Sequence, residues 1–163
     1  MSKKHKTTVG YIVLAAVLVG GTTTLWGLSS FGGDATGPAA SADADIVVYK
    51  SPTCGCCEAW IEHMEEAGFS VKVEDRPDVV ALKQRLGVPT EMFSCHTAVI
   101  NGKVVEGHVP ASTVQRYLAD GSPGDGLAVP GMPPGSPGMP SLSPQPYEVF
   151  TFEGDRTTVY ESR

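Results

Sequence analysis

Positive charge is scarce in this sequence. Twelve lysines and arginines stand against eighteen aspartates and glutamates in 163 residues, and Lys3, Lys4 and Lys6 fall in the first six positions, so the net charge of −6 becomes −9 over the remainder. A surface so poor in cations excludes nucleic acid as a partner, because phosphate binding needs a basic patch. The chain is also short: with a terminal segment set aside, there is room for one domain and a tail, which excludes a multidomain assembly. There are only four cysteines, with no second CxxC and no HxxxH pair, so the spacing is unlike that of structural zinc sites. Charge is missing between Asp125 and Glu148 as well, where prolines are dense. That composition argues against a helix or a central strand over 122–146. It is equally unlike disorder, since Leu127, Val129, Met132, Met139 and Leu142 are apolar; the expectation is an extension that packs along the domain.

What is present begins with a basic opening, MSKKHK, followed by a charge-free apolar run over Val9–Gly20. This is the pattern of an export signal. With Gly21–Leu28 included, the run reaches about 20 residues, roughly 30 Å as a helix and enough to cross a bilayer. Ala40-Ser41-Ala42 offers a small-residue cleavage pattern but lies far past the run. Residues 1–28 are therefore read as a signal peptide or an N-terminal membrane anchor, the latter holding residues 29 onward outside the cytoplasm through residues 9–28. Residues 29–45, rich in Gly, Ala and Ser, read as a linker.

The folded domain is expected over 46–121. Ile46-Val47-Val48-Tyr49 reads as a buried strand. Cys57, Trp60, Ile61, Met64 and Gly68 keep the spacing of one helical face, so a helix is predicted over 56–67 with Gly68 as its stop. Phe69, Val71 and Val73 alternate with polar residues as a second strand. Pro77 opens a helix carrying Val79, Leu82 and Leu86 and ended by Gly87. Asn101-Gly102 between Thr97–Ile100 and Lys103–Glu106 is a strong hairpin signal. Pro110 opens a last helix with Val114, Tyr117 and Leu118 inward and Gly121 at its end. The order β-α-β-α-β-β-α suits an α/β fold, a mixed sheet with helices on both faces. Residues 147–163 read as a C-terminal hairpin around Glu153-Gly154-Asp155.

The chemistry lies in Lys50-Ser51-Pro52-Thr53-Cys54-Gly55-Cys56-Cys57, where a strand hands over to a helix. Thiols at a helix N-terminus face unpaired N–H groups and the positive end of the helix dipole, which favours thiolate and predicts a low-pKa cluster. Cys54 and Cys57 form a CxxC pair suited to dithiol redox chemistry. Cys56 is a sulfur that such chemistry does not need, and a bridge between the adjacent Cys56 and Cys57 is strained. The fold brings the start of the hairpin strand beside the first helix, so Cys95 is expected as a fourth thiol. His96, pointing the other way if both residues are extended, is expected to miss the cluster.

Thiolates select soft ions, Cu(I) above all, with zinc the main competitor. Crowded sulfurs suit bridging between several copper ions, although two disulfides or one zinc are the plain structural alternatives. Met64 is expected in the core, and His63 is too far along the helix to share the metal. His108 has capping and metal contact equally open to it. Met132 or Met139 can complete a Cu(I) site if the extension folds back over the helix N-terminus.

Three stretches, KSPTCGCCEAWIEHMEEAGF, GVPTEMFSCHTAVINGKVVEGHVPA and GLAVPGMPPGSPGM, occur in that order. Together they resemble the CopG-like family of bacterial copper-resistance proteins, marked by a CxCC motif. The resemblance implies a thioredoxin-like domain in the periplasm, copper bound at Cys54, Cys56, Cys57 and Cys95, and cycling of copper between oxidation states. Three functions follow as expectations: a copper oxidoreductase, a thiol-disulfide oxidoreductase using Cys54 and Cys57, and a copper carrier that serves an efflux system or exchanges with periplasmic carriers.

Overall fold

The computed structural model describes residues 46–163. The expected signal or anchor over 1–28 and the linker over 29–45 lie outside the described residues. Among the described residues, no helix is long and apolar enough to cross a membrane.

The chain runs β1 (Ile46–Lys50), α1 (Gly55–Glu66), β2 (Val71–Asp75), α2 (Val79–Arg85), a 3-10 turn (Thr90–Met92), β3 (Thr97–Ile100), β4 (Lys103–Glu106), α3 (Ala111–Ala119), β5 (Gly126–Ala128), β6 (Glu148–Glu153) and β7 (Arg156–Ser162). All strands join one sheet in the order β2-β1-β3-β4-β5-β6-β7. β1 runs parallel to β2 and β4 parallel to β5, and the other pairs are antiparallel. This is the mixed α/β sheet with three helices that the alternating pattern predicts.

Each helix stops where a glycine permits a left-handed residue. Gly68 at φ 92° donates to the Glu65 carbonyl, while Phe69 donates to Met64. Gly87 and Val88 repeat the arrangement on Gln84 and Lys83, as do Gly121 and Ser122 on Leu118 and Tyr117. These paired bonds satisfy carbonyls that a helix end leaves orphaned. The closure also absorbs Phe69, so β2 begins at Val71 rather than at Phe69.

Alternation along the strands divides the core in two. Ile46, Val48, Ala98, Ile100, Val105, Leu127 and Val149 pack with Trp60, Ile61 and Met64 of α1 and with Val114 and Tyr117 of α3. Val104, Ala128 and Phe152 pack with Val88 and Met92 after α2. Adjacent residues in one strand belong to different clusters, which places the two on opposite faces of the sheet.

One expectation fails. Gly126–Ala128 belongs to the segment whose composition argues against a central strand, yet it forms β5 between β4 and β6. β5 fits into the proline-free stretch between Pro123 and Pro130, and Gly126 is needed because the Val104 carbonyl and Phe152 ring crowd its position: a Cβ there would come 2.8 Å from the ring. Through β5, the terminal hairpin β6–β7 becomes part of the main sheet.

Candidate metal centre

The CxCC turn is placed by β1 and α1. Cys54 is the N-cap of α1, in extended conformation and without a side-chain capping bond. Cys56 and Cys57 fall in the first turn. Cys57 is fully buried in line with Trp60, Ile61 and Met64, so the predicted helical face carries one of the thiols inward. Lys50, at the end of β1, is 2% exposed and pairs with Glu58 at 2.6 Å and Asp75 at 2.9 Å, tying the turn to α1 and β2.

Cys54 and Cys57 are joined by a disulfide, with Cα atoms 5.3 Å apart, and Cys56 and Cys95 are free. Cys56 Sγ lies 3.6 Å from Cys54 Sγ and 3.8 Å from Cys95 Sγ, and Cys57 Sγ lies 3.5 Å from Cys95 Sγ. The four sulfurs predicted from sequence are therefore brought together, all within 4.8 Å of one another.

A second group shares Cys95. Its Sγ is 2.9 Å from His108 Nε2 and 3.3 Å from His96 Nδ1, and both imidazoles are fully buried. The expectation that His96 misses the cluster holds for the CxCC sulfurs, with which it forms no group, and fails at Cys95. It assumed extended alternation through Cys95, whereas Cys95 sits in a bend and β3 begins only at Thr97. Sequence reasoning left His108 undecided, although the hairpin carried the signal. The register that pairs Thr97 with Glu106 and bonds Gly107 N–H to His96 O, continued outward, sets Cys95 opposite His108.

His108 is oriented from its far side. Its Nδ1 lies 2.7 Å from the Pro137 carbonyl, which can only accept, so Nδ1 carries the proton and Nε2 presents a lone pair towards Cys95. His96 is packed against Trp60, ring centroids 4.4 Å apart, and its buried Nε2 has no hydrogen-bond partner. Burial pushes His108 below the ordinary imidazole range and His96 well below it, the latter aided by His108 and Lys83, so both favour the neutral form in which imidazole binds metals.

The low-pKa expectation does not hold for Cys95. Burial first, and then the charge of and hydrogen bond to Cys56, push its thiol up to about 12. Without a metal this sulfur keeps its proton at neutral pH, and binding an ion as thiolate would release it.

The extension passes over the same elements. Gly131 N–H donates to the Phe93 carbonyl, and the Gly131 carbonyl accepts from Ser94 Oγ, beside Cys95. Gly138 sits so close to the start of α1 that a Cβ on it would come 2.6 Å from the Cys56 carbonyl. Met132 and Met139 each follow one of these glycines; Met132 is 51% exposed and Met139 is half-buried. Met64 is fully buried in the core. His63 lies at the far end of α1, where Nε2 accepts the Ala111 N–H at 3.0 Å and caps α3.

Comparison with known proteins places this arrangement. Residues 92–139 match a family described as a protein of unknown function, DUF411. No curated protein matches the chain. Among solved structures, form 2 of the copper resistance protein CopG is 43% identical with a TM-score of 0.70, over 74% of this chain and 98% of that one. Form 1 is 44% identical with a TM-score of 0.68, over 73% of this chain and 96% of that one.

Proposed function

Because the chain belongs to the family of the copper resistance protein CopG, we propose that it binds copper in the service of copper resistance, as Cu(I) and at more than one ion. The observation that carries this reading is that Cys95 is shared by a four-sulfur group and a sulfur–imidazole group. Cys54, Cys56, Cys57, Cys95, His96 and His108 offer six donors, whereas one tetrahedral ion takes four. Thiolate and neutral imidazole are the donors that soft Cu(I) prefers, and a thiolate can bridge two ions. The donor set therefore fits copper. The orphaned Nε2 of buried His96 is consistent with a ring kept for its other nitrogen.

Copper supplies a one-electron couple between Cu(I) and Cu(II); the chain supplies positions and protons. His108 holds its proton at Nδ1 on Pro137 and so leaves Nε2 open. Cys95 gives up a proton when it binds. Reducing the Cys54–Cys57 disulfide takes two electrons and two protons and yields two further thiol ligands, so the fully liganded state belongs to the reduced protein. Membership of a copper-resistance family and the export-like N-terminus support a periplasmic site of action, with copper cycled between oxidation states or passed to an efflux system. Fractionation of cells making the full chain tests the location.

The decisive measurement is metal content and visible spectrum of protein reduced anaerobically and loaded with copper. Two or more copper ions per chain, with sulfur-to-copper absorption on oxidation, are expected; a single zinc and no copper would sink the reading. The observed disulfide favours one second reading, a thiol-disulfide oxidoreductase acting through Cys54 and Cys57. Cys56→Ser separates the two, because dithiol exchange should survive it and copper loading should not.

A further inference from the structure

Beneath the Cys95–His108 pair lies a buried polar network that metal binding does not itself require. Lys83 and Glu106 are 2% and 0% exposed and their charges meet at 2.5 Å. Lys83 lies on the inner face of α2, where the spacing of Val79, Leu82 and Leu86 calls for an apolar residue, and Glu106 ends β4, two residues before His108. Replacing a buried ion pair with apolar residues is often neutral or stabilising, so stability alone does not explain it. Its hydrogen bonds point elsewhere. Glu106 Oε1 accepts the backbone N–H of Ser94 at 2.6 Å, and Oε2 accepts from Thr97 Oγ1 at 2.6 Å, while Lys83 also donates to Thr97 Oγ1 at 2.8 Å. One carboxylate thus holds both neighbours of the Cys95-His96 dipeptide, Ser94 by its backbone N–H and Thr97 by its side-chain hydroxyl.

Only the His96 carbonyl, which accepts the Gly107 N–H, still ties that dipeptide to the hairpin, and Cys95 itself sits in a bend before β3. Ser94 is held from three directions: its N–H by Glu106, its hydroxyl by the Gly131 carbonyl, and its side chain against Gly107. At Gly107, at φ 72°, a Cβ would strike the Ser94 side chain and come 2.6 Å from the Val129 carbonyl, so no larger residue leaves Ser94 in place.

We propose that Glu106, held in place by Lys83, is a positioning residue that fixes Cys95 and His96 in the geometry needed to meet the CxCC sulfurs and His108. The copper consequence rests on the proposed function; the positioning of Cys95 does not. Losing such outer-shell support typically weakens metal binding by about 10–100-fold.

Two paired variants test this. Lys83→Met/Glu106→Leu removes the acceptor for Ser94 without stranding a buried charge, and Lys83→Met/Glu106→Gln removes the charges but keeps an oxygen for Ser94. Copper affinity is measured in competition with a Cu(I) chelator. In parallel, iodoacetamide labelling of Cys95 in the copper-free protein is followed by peptide mass. The leucine version should bind copper at least ~10-fold more weakly and label Cys95 faster by roughly threefold or more, while the glutamine version stays close to wild type on both counts. A merely structural pair would lower the unfolding midpoint of both and move neither readout. If the leucine version does not fold, Lys83→Met/Glu106→Asn, one methylene too short to reach Ser94, carries the same expectation. Folded variants with wild-type affinity and labelling overturn the proposal. If wild-type protein takes up no copper, the function fails and labelling alone decides the positioning.

Discussion

The two halves of the donor set are built by opposite means. The CxCC half sits at a helix start and is tied down by Lys50 through Glu58 and Asp75, which are 56% and 52% exposed. Its sulfurs already show two bonding states, a disulfide between Cys54 and Cys57 and a free thiol at Cys56. The Cys95 half is half-buried at its sulfur but held from within: both imidazoles are fully buried, His108 is oriented by Pro137, and Ser94 is gripped by a buried carboxylate. Chemistry that changes bonds is concentrated where the backbone is a turn, and geometry is fixed where the backbone is packed. A site that gains and loses copper or electrons needs both, since a uniformly soft site would lose its ion geometry and a uniformly locked one would not reorganise.

The contrast breaks most completely at the sulfur both halves share. Cys95→Ser removes a donor from each group at once. Copper affinity should fall beyond the ~100-fold that loss of an outer-shell partner costs. The Cys54–Cys57 dithiol should still oxidise and reduce. Chelator competition and a thiol titration on the same protein check the two arms; retention of copper would mean that the groups do not act together.

The extension is what covers both halves, and Gly138 is where it presses closest. An alanine there would meet the Cys56 carbonyl at 2.6 Å and the Trp60 nitrogen at 3.0 Å, at a φ of 80° that side chains rarely adopt. Gly138→Ala should destabilise the metal-free protein by about 1–3 kcal/mol, read from urea unfolding, and should free His108 from Pro137. Gly131→Ala meets no such neighbour and makes the control for backbone strain alone.

How much of this could be read beforehand differs between the halves in the same way. The CxCC turn, the Cys95 meeting and the helix stops at Gly68, Gly87 and Gly121 follow from local spacing and glycine chemistry. The Cys95–His108 pairing was legible too, in the register around Asn101-Gly102. His96 was not, because the bend at Cys95 interrupts the alternation that sequence reasoning must assume. Nor was the burial of Lys83, because its charge marks a wet residue while helical spacing sets it on the inner face with Val79, Leu82 and Leu86, and the partner that settles the conflict lies 23 residues away. β5 escaped because three residues carry too little pattern of their own; neighbouring strands make it a strand.

Acid should act on the buried half first. His96 and His108 are held neutral in the fold, below the ordinary imidazole range, while the unfolded chain protonates both near pH 6.5. Below that pH the unfolded state binds more protons, so this contribution is complete above about pH 6.5 and lost as pH falls towards the native values. Metal-free protein should lose up to about 1.4 kcal/mol per pH unit per histidine between pH 6.5 and 5. His63, also lowered by burial, adds to the trend, and Glu106, raised by burial, opposes it at the acid end. Urea midpoints at pH 7 and pH 5 measure the sum, and His96→Phe should flatten the slope.

The smallest effect is expected at Glu58, the exposed counterpart of Glu106. Both are glutamates that pair with a buried lysine, but Glu58 is half in solvent and Lys50 keeps Asp75 at 2.9 Å and the Ser51 carbonyl at 3.3 Å when it is removed. Exposed pairs contribute at most about 1 kcal/mol, because water replaces the lost partner. Glu58→Ala should therefore cost under about 1 kcal/mol in urea and leave copper affinity within roughly twofold. A loss comparable to that of Lys83→Met/Glu106→Leu would show that the CxCC half is held as tightly as the buried one, and that the freedom of its sulfurs comes from their chemistry rather than from their exposure.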